Sequence, residues 1–320
     1  MAAVAGGRPT ALAAALAGFV TLLALGGAAA GAQPAAAAAA TLEGWVLYFA
    51  DEFDGEALNT RVWFPYHSTY GHTSGQLQCH TPTNVWVRDG YLYIQGRREA
   101  YHCPSGVDRD RKFTSGFLGT RENGVYFPRF ARYEIRAAVP HGSAFWPAFW
   151  LRHRDSSSVV EIDVMEYMPA LRPGQSQSVV HYFGTKNLAR AFADFEAPSL
   201  TESSFHTWSV EIEPGAAAQE ICVTFFVDGK ALDFYAPRAH PPGEPFCFID
   251  EAGAFERYPG EGLFDIAINL ALGGRPAVHP DGPYDQVMDG RSAHPEALPP
   301  VLPGEYVVDY VRVWVRPEQP

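Results

Sequence analysis

Three acidic residues fall within six positions of an otherwise apolar segment, Val159-Val160-Glu161-Ile162-Asp163-Val164-Met165-Glu166-Tyr167. Read as a β-strand, this segment turns Glu161 and Asp163 to one face and the aliphatic side chains between them to the other. Strict alternation would bury the Glu166 carboxylate, which is costly without a partner. One extra residue, a β-bulge near Val164-Met165, returns Glu166 to the face of Glu161. The segment therefore predicts three carboxylates on one face of a strand.

Carboxylates this close repel one another, so at neutral pH the cluster is expected to hold at least one proton. Retaining cleavage of a glycosidic bond needs that combination. An ionised carboxylate attacks the anomeric carbon, while a protonated partner about 5–5.5 Å away donates to the leaving oxygen and then activates water. Asp163 lies between the two glutamates, where it can orient and tune the nucleophile. The alternative is a solvated acidic face without chemistry.

The segment just upstream favours the chemical interpretation. It reads Phe145-Trp146-Pro147-Ala148-Phe149-Trp150-Leu151, and a strand places Trp146 and Trp150 on one face and the phenylalanines on the other. If this strand neighbours the acidic one, two indoles flank the carboxylates. Flat indole faces stack on the apolar C–H face of pyranose rings. We therefore predict sugar-binding platforms at Trp146 and Trp150, with core packing as the alternative.

The rest of the chain predicts an all-β domain. Short alternating or aromatic-rich runs recur between turn residues, and Asp89-Gly90 and Asp228-Gly229 are hairpin signals. Few windows keep a helical apolar period over three turns. We expect a β-sandwich of two stacked antiparallel sheets. The predicted strands are residues 86–95 (a hairpin), 131–139, 144–151, 159–167, 206–213, 221–227, 264–272 and 306–315.

Composition and the N-terminus predict an exported protein. The 320 residues carry 24 basic and 36 acidic side chains, a net charge of −12 that disfavours nucleic acid or an anionic membrane as partner. Residues 1–32 resemble a secretory signal peptide, with a positive start, an apolar stretch and a small-residue cleavage site. Residues 33–40 resemble a linker. Residues 41–317 are predicted to form one domain, secreted and monomeric, with no membrane attachment after cleavage.

Export gives the four cysteines a structural meaning, because disulfides persist outside the cytoplasm. Cys79, Cys103, Cys222 and Cys247 are too widely spaced for a zinc knuckle. Three pairings are possible, and four free thiols are the alternative. The sequence-local pairing is favoured, because each of its loops closes about 24 residues.

The motifs together resemble glycoside hydrolase family 16, the jelly-roll endo-glucanases and their relatives. The E-I-D-x-x-E signature, in its bulged form, is the most specific element, and the shorter motifs follow in the family's order along nearly the whole chain after residue 40. These motifs are Asp51-Glu52-Phe53-Asp54-Gly55, Gln76-Leu77-Gln78, Asp89-Gly90, Thr114-Ser115-Gly116, Phe130-Ala131-Arg132-Tyr133-Glu134-Ile135-Arg136, Trp146-Pro147-Ala148-Phe149-Trp150, Phe205-His206-Thr207-Trp208, Val227-Asp228-Gly229, Asn269-Leu270-Ala271-Leu272-Gly273-Gly274 and Val308-Asp309-Tyr310-Val311-Arg312-Val313.

The resemblance implies a role for each matching position. Glu161 matches the nucleophile, Asp163 its assistant and Glu166 the acid/base. Trp146 and Trp150 match donor-side platforms. His181 matches a histidine near the acceptor side of a concave substrate cleft. No cofactor is implied for catalysis. A structural calcium on the convex face is implied, and its ligands would be Glu52, the carbonyl of Gly90, and Asp309.

Departures from the family pattern concern the substrate more than the reaction. Residues 152–155, Arg-His-Arg-Asp, are predicted to form a charged loop at the cleft edge, and Val160 occupies a position where laminarin-cleaving relatives usually have glycine. Ser74-Gly75 replaces an Asn-Glu pair. Segments 232–261 and 277–303 could overhang the cleft.

We therefore expect a retaining endo-glycosidase acting on a β-1,3- or β-1,3/1,4-glucan. One alternative keeps the machinery and changes the reaction, to cleavage of a galactan or another polysaccharide or to transglycosylation. The second alternative is a non-catalytic glucan-binding protein.

Overall fold

The computed structural model describes residues 41–140, 142, 144–169, 172–183, 185–195, 204–235, 240–274 and 302–317. Within these ranges the regular structure is almost entirely β, with three one-turn 3₁₀ helices at His72–Ser74, Pro82–Asn84 and Arg121–Asn123. The strands are β1 Val46–Asp51, β2 Phe64–Pro65, β3 Gln78–His80, β4 Val85–Arg88, β5 Tyr91–Gly96, β6 Tyr101–His102, β7 Asp110–Arg111, β8 Phe113–Ser115, β9 Phe117–Gly119, β10 Ala131–Ala138, β11 Phe145–His153, β12 Val160–Tyr167, β13 Gln175–Tyr182, β14 Thr185–Asp194, β15 His206–Pro214, β16 Glu220–Val227, β17 Lys230–Ala231, β18 Phe246–Ile249, β19 Phe264–Leu272 and β20 Gly304–Val315.

Two large antiparallel sheets make the sandwich. The seven-stranded sheet has the order β14-β13-β12-β11-β19-β9-β2. The nine-stranded sheet has the order β17-β16-β15-β10-β20-β5-β4, with β1 added against β20 and β18 against β16. Their inner faces share one apolar core, in which Phe149 and Ile162 of the first sheet are buried together with Ile135 and Val210 of the second. The predicted all-β sandwich is confirmed.

The strands predicted from alternation are found within a few residues of their expected bounds, and residues 264–272 match β19 without change. The two predicted hairpin turns are present. Asp89 and Gly90 have φ of 54° and 80°, and Asp228 and Gly229 have φ of 49° and 76°. Positive φ at both central residues is the requirement of a tight type I′ hairpin.

Two disulfides join Cys79 to Cys103 and Cys222 to Cys247, as the sequence-local pairing predicts. The first ties β3 to the segment that follows β6. The second crosses from β16 to β18 at the edge of the nine-stranded sheet. Because each closes a loop of 24 or 25 residues, each is expected to stabilise the fold by about 3 kcal/mol.

Several predictions concern residues that are not described. The signal peptide at 1–32, the linker at 33–40 and all but the last two residues of segment 277–303 lie outside the described residues. Within the described ranges, no helix is long and apolar enough to span a bilayer.

Candidate active site

A cleft of about 1000 Å³ runs over the outer face of the seven-stranded sheet. Strands β11, β12 and β13 supply most of its floor, and β14 and β19 extend it on either side. Residues 68–76 form one wall together with Gly106 and Val107, and the turn containing Ser157 and Ser158 lies at another edge. Glu161, Asp163, Glu166, Trp146, Trp150 and His181 all line this cleft, so the structure brings the six predicted site residues together.

An irregularity in β12 puts the three carboxylates on the same face. Against β11, Asp163 pairs with Trp150 while Met165 pairs with Phe149, so that one residue of β12 is left over. The register against β13 shifts between Asp163 and Glu166 as well. Val164 and Met165 are consecutive, yet both are buried in the core. Two successive inward side chains return Glu166 to the cleft, at the place where the sequence predicts a bulge.

Glu166 is held by two neutral donors. The Trp146 indole N–H donates to Glu166 Oε1 over 2.9 Å, and the Gln177 amide donates to Glu166 Oε2 over 2.7 Å. Trp146 comes from β11 and Gln177 from β13, the two neighbours of β12, so both carboxylate oxygens are fixed from the sides. The two hydrogen bonds fix the orientation of the Glu166 carboxyl group in the cleft.

His181 connects the other two acids. Its Nε2 lies 3.0 Å from Asp163 Oδ2 and 3.9 Å from Glu161 Oε1. One ligand atom from each of the three residues lies within 4.8 Å of the others, which is the spacing needed to hold a metal ion. Among the described residues this is the one such group. It contains the two carboxylates to which the sequence resemblance assigns the roles of nucleophile and assistant.

All three carboxylates hold protons more tightly than free side chains do. Burial, and then the negative charge of Asp163, raises the pKa of Glu161 to about 8. Burial and the nearby Glu166 raise the pKa of Asp163 well above its ordinary value. Burial raises the pKa of Glu166 too, although its hydrogen bonds from Gln177 and Trp146 oppose the shift. The cluster therefore retains a proton near neutral pH, as like charges in a desolvated site require.

The two tryptophans differ in what they offer a sugar. Trp146 is half-buried at the cleft surface, and the absence of a side chain at Gly274 makes room for it, since a Cβ there would lie 2.6 Å from the ring. Trp150 is only 9% exposed. Phe117 stacks 6.1 Å from its ring, and its indole N–H donates to Asn269. Burial thus leaves Trp150 little surface for stacking, while a platform at Trp146 stays a prediction.

The predicted charged loop at residues 152–155 is wrong in its first half. Arg152 and His153 belong to β11 and are buried. Arg152 pairs in register with Glu161 on one side and with Asp265 on the other. Its guanidinium donates to both oxygens of Asp265, a carboxylate that also receives Arg121. The error arises because β11 continues two residues beyond the apolar run from which the strand was predicted.

The predicted calcium ligands do not fit a cation. Both oxygens of Glu52 accept hydrogen bonds from Arg312, each at 2.8 Å. Asp309 is paired with Arg136. Each carboxylate is therefore neutralised by an arginine, and a calcium ion at Gly90 would have to displace both guanidinium groups.

Segment 232–261 does not overhang the cleft in its described part. Its residues 250–254 pack beside the ends of β11 and β13, where the Ala254 carbonyl contacts His153 Nε2 and Asp250 accepts from the Tyr182 hydroxyl. Phe234 of the same segment instead forms a bridge with Ala191 of β14. Sequence reasoning missed other cleft residues, among them Tyr70, Gln177 and Asn269. Gln177 could have been found from the period-two pattern of β13, which places it on the face of His181.

Carboxylates gathered on the open face of a jelly-roll sandwich, beside an aromatic-lined cleft, place the chain in the glycoside hydrolase class. The model of glycosyl hydrolases family 16 matches residues 109–246 of this chain.

The chain is 28% identical over 297 residues to a glucan endo-1,3-beta-glucosidase A1 from Niallia circulans; the match covers 85% of this chain but only 38% of that relative. A beta-glucanase from Rhodothermus marinus is also 28% identical, over 287 residues that cover 85% of this chain and 86% of the relative. The structure superposes on an endo-beta-1,3-glucanase from Pyrococcus furiosus with a TM-score of 0.62 and 25% identity, covering 85% of this chain and 94% of the other.

Proposed function

We propose that the protein is a secreted, monomeric retaining endo-β-glucanase that hydrolyses internal β-1,3- or β-1,3/1,4-glucan linkages. The observation that carries the proposal is the bulged β12, which presents Glu161, Asp163 and Glu166 together on the cleft floor. The names of the Niallia and Rhodothermus relatives support a glucan as substrate.

In this mechanism the three carboxyl groups act differently. Glu161, ionised, attacks the anomeric carbon and forms the glycosyl-enzyme bond while the glycosidic C–O bond breaks. Glu166 gives its proton to the leaving oxygen and afterwards removes one from the water that releases the sugar. Asp163, held by His181, orients Glu161. Its negative charge also favours retention of a proton within the carboxylate cluster. No cofactor takes part in these steps.

The test is reducing-end release by the secreted chain on laminarin, lichenan, curdlan, xyloglucan, agarose and carrageenan. Glu161→Gln and Glu166→Gln should each abolish release, whereas Glu256→Gln, at an exposed pair with Arg129, should not. NMR of the first product should show retained anomeric configuration.

The same panel separates the other possibilities. Wild-type turnover in either glutamine variant would overturn the roles. Activity on a galactan alone would keep the machinery and change the substrate. Longer products than the starting oligosaccharides would indicate transglycosylation. Binding without cleavage by a folded protein would favour a glucan-binding protein.

A further inference from the structure

One wall of the cleft is made from two separate loops. Residues 68–76 supply most of it, and Gly106 and Val107 come from a second loop that follows Cys103. Thr69 joins the two loops, because its hydroxyl donates to the Val107 carbonyl over 2.8 Å and accepts from the Val107 amide over 2.9 Å. Gly106 makes room for this contact, since a Cβ there would lie 2.1 Å from Thr69 Oγ1. Val107 is thereby held in place although it is 57% exposed.

Arg111 joins the same two loops, although it is not among the residues that line the cleft. Its Nη2 donates to the Val107 carbonyl over 3.1 Å and to His72 Nδ1 over 3.0 Å. Its Nη1 lies 3.5 Å from the Gln76 carbonyl oxygen. One guanidinium therefore contacts the second loop at Val107 and both ends of the segment from His72 to Gln76.

The contact with Arg111 also determines which nitrogen of His72 carries the proton. A guanidinium can only donate, so His72 Nδ1 must accept and carries no proton. The ring proton is therefore on Nε2, which lies 3.2 Å from Asp108 Oδ2. Both nitrogens of this neutral imidazole face protein groups. His72 and Val107 line the cleft, and they offer it C–H surface rather than hydrogen-bonding groups.

The wall lies beside Trp146, the predicted sugar platform that keeps an accessible ring. A Cβ placed on Gly274 would lie 2.6 Å from the Trp146 ring and 3.8 Å from the Ser74 carbonyl oxygen, so the ring and the wall flank the same glycine. Gln76 also forms a bridge with the preceding residue, Gly273. A pyranose stacked on Trp146 would therefore have the wall at its edge.

We propose that this wall binds the edge of the sugar unit stacked on Trp146, and that Arg111 is the positioning residue that holds the wall in its binding shape. His72 and Val107 pack against C–H groups of the sugar, so the contact suits a neutral pyranose and depends on shape. A wall that is ordered before binding avoids the cost of fixing these side chains when the sugar binds. This inference rests on the proposed function, because it takes a glucan as the ligand.

Calorimetry with glucan oligosaccharides on the inactive Glu166→Gln protein tests the inference without turnover. Adding Arg111→Met removes the hydrogen bonds to both loops and should raise Kd about 10-fold, because the wall must then be ordered on binding. Arg109→Met is the matched control, since the Arg109 guanidinium donates to the Cys103 carbonyl within the second loop. It should leave Kd within about twofold. Thr69→Val removes the other contact between the loops and should weaken binding as Arg111→Met does.

Kinetics of the active enzyme separate positioning from general loss of structure. Arg111→Met should raise KM about 10-fold and leave kcat unchanged, because the wall binds ground state and transition state alike. A partly unfolded enzyme would lose kcat instead, and Tm and circular dichroism of each variant check the fold directly.

A double-mutant cycle checks that the wall and Trp146 bind the same sugar unit. In the Glu166→Gln protein that also carries Trp146→Ala, adding Arg111→Met should raise Kd by less than about threefold, since contacts to one sugar unit are coupled. Additive effects would contradict the placement of the wall beside that sugar.

Three results would overturn the inference. Folded Arg111→Met and Thr69→Val proteins that bind every oligosaccharide as the parent does would exclude the role of Arg111 and leave the proposed function standing. Equal weakening by Arg109→Met would show that the stability of the second loop, not its contact with residues 68–76, controls binding. A parent that binds no glucan, with a wild type that cleaves none, would overturn both this inference and the proposed function.

Discussion

The indole N–H of Trp146 donates to Glu166 Oε1 over 2.9 Å, so the residue expected to be a sugar platform also holds the proposed acid/base. A donor to a carboxylate stabilises its ionised form and lowers its pKa. Trp146 thereby opposes the upward shift that burial imposes on the pKa of Glu166. If Trp146 binds sugar and Glu166 transfers the proton as proposed, this contact links the two events.

Trp146→Phe keeps an aromatic ring and removes that donor. We expect the pKa of Glu166 to rise further, so that the alkaline limb of kcat/KM moves to higher pH, because the acid keeps its proton longer. Trp150→Phe is the matched control, since its N–H donates to Asn269 rather than to Glu166. Equal alkaline limbs in wild type and Trp146→Phe would contradict the proton-holding role.

The pH profile should reflect the raised pKa of Glu161. Attack needs Glu161 ionised, so kcat/KM should rise with pH between the ordinary value of 4.5 and about 8, and fall again when Glu166 loses its proton. The profile is bell-shaped, and its optimum lies at higher pH than two carboxyl groups of ordinary pKa would give. Rates measured across a buffer series check this. Full activity at pH 4.5 would be inconsistent with it.

Asp265 should be essential for stability, although it does not line the cleft. It is fully buried and carries the charges of Arg152 and Arg121. Asp265→Asn leaves two guanidinium groups without their counter-charge, which should cost about 3–5 kcal/mol in unfolding free energy. Asp110→Asn removes a carboxylate from an exposed pair with His102 and should change little. Urea unfolding of both variants compares them, and similar losses would refute the distinction.

The fold and the acidic strand could be predicted from the sequence because both depend on local alternation. Glu161 and Asp163 alternate with core residues, and an unpaired Glu166 among those residues would be so costly that a bulge is the economical solution. The Asp-Gly pairs mark hairpins for the same local reason, since few other residues tolerate positive φ.

What could not be predicted depends on pairing between distant strands. Arg152 looks like part of a charged turn until β19 places Asp265 beside it. The burial of Trp150 requires Phe117 from β9, which is more than thirty residues away. Glu52 and Asp309 have the right chemistry for calcium, and only the pairing of β1 and β10 with β20 reveals the arginines that neutralise them.

The two disulfides should differ in their effect on the cleft. Removing either, by Cys79→Ala with Cys103→Ala or by Cys222→Ala with Cys247→Ala, should cost about 3 kcal/mol, since the loops are similar in length. Cys103 lies close in sequence to Gly106 and Val107 in the cleft wall, whereas Cys222 and Cys247 lie on the other sheet. Only the first pair of substitutions should also weaken oligosaccharide binding, measured by calorimetry. Equal affinities in the two double variants would show that the wall does not depend on its disulfide.

Chelation should leave the protein unchanged. Arg312 occupies both oxygens of Glu52, and Arg136 is paired with Asp309, so neither of the predicted carboxylate ligands is free to hold calcium. The cluster of Glu161, Asp163 and His181 has metal-binding spacing, but the proposed mechanism uses its carboxylates directly. Dialysis against EDTA is therefore expected to alter neither Tm nor kcat. A fall in Tm that calcium restores would establish a structural site, and a fall in kcat that a transition metal restores would contradict metal-free catalysis by these residues.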